Sequence, residues 1–73
     1  MKLGKYKHYK KGMYEVIGVA RYSEDAEKEF VVYKMLYESD FPYGQMWVRD
    51  KELFVDEVEV DGQMVPRYKY VGD

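Results

Sequence analysis

A two-residue alternation between positions 14 and 22 constrains the fold of this chain more than any other feature. Side chains two positions apart share one face of a β-strand. One face would carry Tyr14, Val16, Gly18, Ala20 and Tyr22. Gly18 and Ala20 are small at consecutive positions of that face, which is typical of a bent strand with another backbone or a large ring close to it. The alternation therefore predicts a long, curved strand in a small sheet that closes on itself.

Shorter β-rich runs separated by turn residues occupy much of the remaining chain, at positions 5–9, 30–37, 45–49, 57–61 and 64–71. The run at 30–37 is apolar on both faces, which predicts a central strand that is covered on both sides. The Asp61-Gly62 pair between the last two runs is a strong hairpin signal. Pro66 has no amide hydrogen to donate, so the returning strand is predicted to lie at an edge.

Two short helical turns are predicted between the strands. Asp50 suits the N-cap of a turn near residues 50–54, which would bring Leu53 and Phe54 inward and close one end of a barrel. Ser23 would cap a second turn near residues 24–28, where acidic residues suit a helix start. The predicted fold class is thus all-β. The element order favours a single small SH3-like barrel domain over residues 1–73, and an open OB-like or roll arrangement is compatible with the same strands.

A chain of 73 residues has room for one small core. It contains no Cys and one His, so it offers neither a disulfide framework nor a thiolate or multi-histidine zinc site, and no cofactor or metal is predicted. Nine Tyr, three Phe and one Trp favour an aromatic core instead. No apolar run of about 20 residues and no signal-peptide pattern occurs, so the expected location is cytoplasmic, away from membranes.

Charge is distributed unevenly along the chain. Residues 1–12 contain five Lys and no acid, whereas residues 13–73 contain seven basic residues against fourteen acidic ones. The five are Lys2, Lys5, Lys7, Lys10 and Lys11. Lysines interleaved with aromatic residues suit a platform for single-stranded RNA or DNA, but an acidic protein does not suit strong non-specific binding. Lysines that keep a sheet edge soluble are the favoured interpretation, and nucleic-acid binding is an alternative.

Residue types used in catalysis are present, but their surroundings do not indicate an active site. A hydrolase or transferase would combine His8 with Ser23 or Glu24. Neither Ser23 nor Ser39 lies in a nucleophile elbow, and so small a core has little interior from which to exclude water. The acidic residues from Glu24 to Glu29 lack the spacing of a calcium loop. The sequence therefore favours a protein that is not an enzyme.

Two arginines lie close to aromatic residues in the sequence. Arg49 follows Trp47 by two positions, and Arg67 directly precedes a tyrosine. Such an arginine is a cation–π anchor, an anion clamp or the partner of an internal carboxylate, for which Glu27 and Glu57 are the candidates. All three interpretations are open at this point.

Six blocks of residues, in order along nearly the whole chain, resemble one protein family. The blocks are Gly4-x-Tyr6-x-His8-Tyr9-Lys10, Tyr14-x-Val16-x-Gly18-x-Ala20, Ser23-Glu24, Val31-Val32-Tyr33-x-x-Leu36-Tyr37, Trp47-Val48-Arg49 and Val65-Pro66-Arg67-Tyr68. They are similar to those of domain of unknown function 1653, a family of small, mostly bacterial proteins. The resemblance implies an SH3-like barrel of about this length and no established activity.

The chain departs from the family pattern at three places. Tyr22 stands where the family usually has a His before Ser-Glu, and Asp50 stands where it usually has a Pro after Trp-Val-Arg. The loop after Tyr37 is also longer. Without the second His, His8 loses the partner that the family pattern would offer for metal binding or acid–base chemistry.

The polar residues that match the family, together with Trp47, form the predicted ligand-binding site. They are His8, Ser23, Glu24, Glu27, Trp47, Arg49 and Arg67. Polar residues clustered among aromatic ones favour a binding module whose aromatic and Arg-lined groove accepts a protein, a peptide, a nucleotide or a small anion. Weak self-association through the exposed aromatic tip around Pro42 is a further expectation.

Overall fold

A computed structural model describes residues 1–73 and shows an all-β protein with one short helix, as predicted. The strands are β1 (Gly4–His8), β2 (Met13–Tyr22), β3 (Asp25–Met35), β4 (Met46–Asp50), β5 (Glu57–Val60), β6 (Gln63–Pro66) and β7 (Tyr68–Gly72), and the helix is α1 (Lys51–Phe54). The helix is confirmed where a turn near residues 50–54 was expected. It has four residues, and no helix of the protein is long and apolar enough to cross a membrane.

Five strands form one antiparallel sheet in the order β4-β3-β2-β1-β7, and β5 and β6 form a separate hairpin. The sheet is strongly curved, because the rings of Tyr33 in β3 and Tyr68 in β7 lie 5.9 Å apart. In a flat sheet, the two intervening strands would hold them about 14 Å apart. No ladder joins the edge strands β4 and β7, so the SH3-like barrel stays a prediction while the curvature that it needs is present.

The long strand β2 forms where the alternation predicts it, but its register shifts part-way along. Its ladder partners in β3 include Val16 with Tyr33 and Gly18 with Val32. β2 therefore has one extra residue between these pairs, and this bulge moves the following side chains to the opposite face. Gly18 lies on the outer face with no atom within 4 Å of the place that a Cβ would take. The predicted close approach at Gly18 and Ala20 is thus wrong, and the bulge bends the strand instead.

The core lies on one face of the sheet and receives one residue from the helix. Its five buried members are Tyr6, Val16, Val31, Tyr33 and Phe54. Phe54 is 1% exposed and stacks on Tyr68 with ring centroids 4.1 Å apart. Leu53 is 52% exposed, so only one of the two apolar residues predicted to turn inward does so. An aromatic core therefore takes the place of the large aliphatic core that so short a chain cannot build.

β3 begins earlier than predicted and replaces the second helical turn. The strand starts at Asp25, which pairs with Tyr22, and the chain turns at Ser23 and Glu24. The predicted helical turn near residues 24–28 is therefore wrong. The Asp25 side chain accepts a hydrogen bond from the backbone N–H of Glu27 at 3.1 Å within the strand. Continued pairing with β2 outweighs the local preference of acidic residues for a helix start.

β3 is an internal strand of the sheet, between β2 and β4, and β2 is the middle strand of the five. Val31, Tyr33 and Met35 are buried, whereas Val32 and Lys34 are only half-buried. The prediction that both faces are covered is wrong, because the packed aromatic layer lies on one face alone.

The predicted hairpin at residues 61–62 is confirmed. Asp61 and Gly62 both have positive φ angles, 51° and 80°, as a two-residue turn between twisted strands requires. The single returning strand expected at 64–71 is two strands, interrupted at Arg67. β6 ends at Pro66 and pairs only with β5, whereas β7 leaves the hairpin and pairs with β1.

Candidate functional site

Three of the predicted site residues meet where the two edges of the curved sheet approach each other. His8 ends β1, Arg67 directly precedes β7, and Arg49 lies in β4 at the other edge. The Arg67 guanidinium and the His8 ring lie 5.9 Å and 4.8 Å from the ring of Tyr9, and the positive charges of Arg67 and Arg49 both lower the pKa of His8. We call His8, Arg49 and Arg67 the basic corner.

Arg67 is held by Asp56, a carboxylate outside the predicted set. The Arg67 Nε donates to Oδ1 of Asp56 at 2.7 Å, and Nη2 donates to Oδ2 at 3.2 Å. The backbone N–H of Arg67 also donates to the Asp56 carbonyl at 3.1 Å. This two-pronged hydrogen bonding lowers the pKa of Asp56 and raises that of Arg67. Glu27 and Glu57 were the expected internal partners of Arg67. That expectation is wrong, because the partner is Asp56.

Arg49 carries a buried polar atom without a partner. Its Nε is the one buried side-chain nitrogen or oxygen that makes no hydrogen bond. The ladder partner of Arg49 is Val31, which is fully buried, so the arginine extends from the core face of the sheet. Asp56, whose oxygens bond to Arg67, is affected by Arg49 through charge alone. A buried donor left without an acceptor destabilises a protein by about 1–3 kcal/mol.

His8 is packed against aromatic rings, and its surroundings disfavour the protonated ring. Its ring lies 4.9 Å from that of Tyr68, edge to face, and its Nδ1 accepts a hydrogen bond from the backbone N–H of Lys10 at 3.2 Å. Burial lowers the pKa of His8, and the charges of Arg67, Lys10 and Arg49 lower it further. Because Nδ1 is an acceptor, the neutral ring carries its proton on Nε2 and has one donor left.

Three other predicted site residues lie far from His8. Ser23 and Glu24 form the turn after β2, Glu27 follows in β3, and all three are exposed. His8 lies at the opposite end of β2, where its backbone N–H donates to the Gly12 carbonyl at 3.0 Å. The ten residues of β2 span about 30 Å along the strand. The structure therefore does not bring His8 together with Ser23 or Glu24 as a hydrolase or transferase would need.

Trp47 shares the core face with Arg49 but is engaged in packing. Its Nε1 donates to the sulfur of Met35 at 3.4 Å, and its ring lies 4.9 Å from that of Phe41 at a right angle. Phe41 belongs to the aromatic tip of the β3–β4 connection, and 47% of its surface is exposed. Trp47 thus joins this tip to the sheet and does not line the basic corner.

The comparisons with known proteins agree with this fold. The family model described as "Protein of unknown function (DUF1653)" matches residues 4–70. The chain belongs to this family. It is similar to the crystal structure of a DUF1653 protein from Bordetella bronchiseptica, with 33% identity and a TM-score of 0.83 over 99% of this chain and 88% of that one. The comparison with curated proteins returned no match. Membership of DUF1653 therefore agrees with the fold and assigns no activity.

The predicted hairpin already contains the signal that locates Asp56 in this DUF1653 protein. The ladder that turns at Asp61 and Gly62 pairs Glu57 with Pro66. One step further along the same register, Asp56 comes opposite Arg67. Residue type alone does not identify this pair. The number of residues that separates each of the two from the turn at Asp61 and Gly62 does.

An acidic cleft lies between the first part of β3 and the helix α1 of this DUF1653 protein, and its lining includes Asp50 and Val55, the sequence neighbours of Arg49 and Asp56. It has a volume of about 470 Å³ and includes Glu27 of the predicted site. Two ion pairs neutralise part of it, Lys28 with Asp50 at 3.3 Å and Lys51 with Glu29 at 3.4 Å. No three carboxylates or imidazoles are grouped as metal ligands anywhere in the chain. The charge of the cleft is therefore partly balanced within the protein, in contrast to that of Arg49.

Proposed function

We propose that the protein is a non-enzymatic binding module and that the basic corner binds an anionic group of its ligand, a carboxylate or a phosphate. The observation that carries this proposal is the buried Nε of Arg49, which has no hydrogen-bond partner. Nearly all buried donors in proteins are satisfied, so an exception calls for an acceptor from outside the chain. An anionic oxygen would supply that acceptor and a balancing charge together.

The charge at the corner supports the same conclusion. Arg49, Arg67 and Lys10 all act on His8, whereas Asp56 is the carboxylate bonded there. Asp56 balances Arg67 and leaves Arg49 in excess. The protein as a whole has a net charge of −2, so the corner is a local positive region on an acidic protein. Such a region attracts anions and orients them as they approach.

His8 can also contribute to anion binding. A neutral ring with Nδ1 occupied offers Nε2–H as a single hydrogen-bond donor. An anion bound nearby would raise the pKa of His8, because an opposite charge favours the protonated ring. Binding at the corner is therefore expected to strengthen as the pH falls through the pKa of His8.

Catalysis is not part of the proposed function. His8 has neither Ser23 nor Glu24 within reach, since about 30 Å of strand separates them. The Asp56 carboxylate is occupied by two hydrogen bonds from Arg67. The corner thus holds groups that bind charge and lacks a nucleophile activated by a base.

Nucleic-acid binding by the first strand is the second candidate function. It is favoured by lysines that take no part in the four ion pairs of the protein, namely Lys2, Lys5, Lys7, Lys10 and Lys11. Of the aromatic residues between them, Tyr6 does not support base stacking, because it is 7% exposed and donates its hydroxyl hydrogen to the Lys2 carbonyl at 2.6 Å. A binding module for anions agrees better with both observations.

An NMR titration with sodium sulfate tests the proposed function. Sulfate keeps its charge over the titration range, and sodium chloride at equal ionic strength is the control. We expect the Nε–H signal of Arg49 and the ring signals of His8 to shift with sulfate, and the pKa of His8 to rise. Arg49→Met should abolish the response.

The matched control for Arg49→Met is Arg21→Met. The Arg21 guanidinium already has a partner, because it donates to the Ala26 carbonyl at 2.7 Å, and its replacement changes the net charge equally. This variant should keep the sulfate response. If sulfate shifts the Arg49 signal no more than chloride does, anion binding at the corner is contradicted. An equal loss of the sulfate response in both variants would contradict it as well.

A further inference from the structure

A groove of about 400 Å³ lies beside the basic corner, lined by residues of the β5–β6 hairpin and of strands β1 and β7. The hairpin contributes Val60, Val65 and Pro66, and the two strands contribute Lys7 and Lys69. Lys7 and Lys69 are partners in the β1–β7 ladder, so their side chains share one face of the sheet. Pockets for small ligands typically measure about 300–1,000 Å³, so the groove is large enough for a few side chains.

The groove is continuous with the basic corner. His8 belongs to the corner and lines the groove together with Tyr9. Tyr9 is tied to the corner as well, because its N–H donates to the Arg67 carbonyl at 2.9 Å. A ligand that places an anionic group at Arg49 and His8 therefore has the groove available for its neighbouring parts.

The charges around the groove are positive. Neither Lys7 nor Lys69 takes part in any of the four ion pairs, and no acidic residue lines the groove. Glu57 is the ladder partner of Pro66 and shares its face of the hairpin, but neither Glu57 nor Glu59 lines the groove. Charge complementarity thus favours a ligand with negative charges on either side of an apolar part.

The apolar part of the groove is aliphatic, which distinguishes between ligand classes. Recognition of single-stranded nucleic acid relies on free aromatic faces for base stacking. The Tyr9 ring is already approached by His8 at 4.8 Å, by the Lys10 ammonium at 5.8 Å and by the Arg67 guanidinium at 5.9 Å. The walls formed by valine and proline suit an aliphatic side chain better than a nucleobase.

We propose that the ligand is a short acidic peptide in which an aliphatic residue lies between two acidic ones. The aliphatic side chain packs against Val60 and Val65, one carboxylate faces Lys7 and Lys69, and the other binds at the basic corner. This inference rests on the binding function proposed above and specifies the class of its ligand.

The test is a methyl and amide NMR titration with capped tripeptides. Glu-Leu-Glu should shift the methyl signals of Val60 and Val65 together with the ring signals of His8. Glu-Ser-Glu should bind about tenfold more weakly, because the buried leucine methyl groups are lost. Lys-Leu-Lys should produce no shift in the groove.

Lys69→Glu and Lys5→Glu are the matched variants. Lys5 lies on β1 two residues before Lys7, does not line the groove, and its replacement changes the net charge by the same amount. Lys69→Glu should weaken Glu-Leu-Glu binding by about tenfold, and Lys5→Glu by about twofold or less. An equal loss in both variants would overturn the inference, because it would show a general effect of charge.

Two further outcomes would overturn the inference. One is binding of tetrauridylate at the groove without binding of Glu-Leu-Glu, which would indicate a nucleic-acid ligand. The other is a sulfate response at Arg49 with no peptide response at Val60 and Val65, which would overturn the peptide ligand alone. Loss of both the sulfate and the peptide responses would overturn the binding function as well.

Discussion

The aromatic cluster around Phe54 and the basic corner lie next to each other on the curved sheet. They differ in whether their buried side chains find partners within the protein. In the aromatic cluster, which comprises Phe54, Tyr6, Tyr33 and Tyr68, the Phe54 ring contacts each of the three tyrosines. In the basic corner, the Arg49 Nε is buried without a partner. Tyr68 belongs to the cluster and also contacts His8, so the two regions meet at one ring.

This difference separates stability from binding. Rings packed at van der Waals distance favour the folded state, whereas an unsatisfied buried donor opposes it. A protein that retains such a group within a small core gives up stability that a plain apolar residue would supply. Replacing Phe54 in the cluster and replacing Arg49 in the corner should therefore change the free energy of unfolding in different directions, and this can be measured.

The largest expected effect is in the aromatic cluster. Phe54→Ala should lower the free energy of unfolding by about 3–5 kcal/mol, because it removes a fully buried ring and leaves a cavity. Leu53→Ala, at the adjacent but 52% exposed position, should change it by less than about 1 kcal/mol. Urea unfolding followed by tryptophan fluorescence measures both. A similar loss in the two variants would break the comparison, since Phe54 would then not be the centre of the packing.

Arg49→Met should have a smaller effect of the opposite kind. Replacing the unsatisfied Nε by an apolar chain beside Val31 should leave the free energy of unfolding unchanged or raise it by up to about 1 kcal/mol. Arg67→Met should lower it, because Asp56 would lose both of its side-chain hydrogen bonds. Parallel urea titrations give the two signs. A loss for Arg49→Met as large as that for Arg67→Met would show that Arg49 is structural.

The pH dependence of stability is a weaker effect and arises at His8. The folded protein holds its proton less tightly than the unfolded chain, because burial and the neighbouring cations lower the pKa of His8 below 6.5. Stability is therefore complete above about pH 6.5 and falls as the pH drops through the folded-state pKa, where the unfolded chain binds more protons. The Asp56 pKa is also lowered, and its contribution is lost in a separate window below about pH 3.8.

Thermal unfolding between pH 5 and pH 7.5 measures the His8 contribution, with His8→Asn as the control. Asparagine retains an acceptor for the Lys10 N–H but does not titrate, so the slope in this window should disappear. Sulfate should reduce the slope in the unmodified protein, because a bound anion raises the pKa of His8. A slope that persists in His8→Asn would assign it to another group.

Much of the fold could be predicted from local pattern. Alternation identified β2, and the Asp61-Gly62 pair identified the hairpin, because both signals act within a few residues. The acidic turn near residues 24–28 was misassigned because the β2–β3 ladder extends to Tyr22 and Asp25 and outweighs local capping. The bulge that moves Gly18 to the outer face leaves no mark on the alternation itself.

The site was less predictable than the fold. His8, Arg49 and Arg67 were identified by type and by family block, but their approach depends on the curvature that brings β4 toward β1 and β7. Ser23 and Glu24 were grouped with them because matching family blocks carry no distances. Position along β2 separates His8 from this turn, and strand length becomes informative only once the register is known.

The smallest expected effect is at this distant turn, and it tests whether the family blocks mark one site or two. Ser23→Ala and Glu24→Gln replace exposed side chains, so each should change the free energy of unfolding by less than about 0.5 kcal/mol. Neither should alter the sulfate shifts of the His8 ring, because about 30 Å of β2 lies between the turn and the end of the strand near His8. The same NMR titration that detects Arg49→Met serves as the measurement. A changed sulfate response in either variant would mean that the turn and the corner act on a common ligand. The protein would then have a second functional region besides the basic corner.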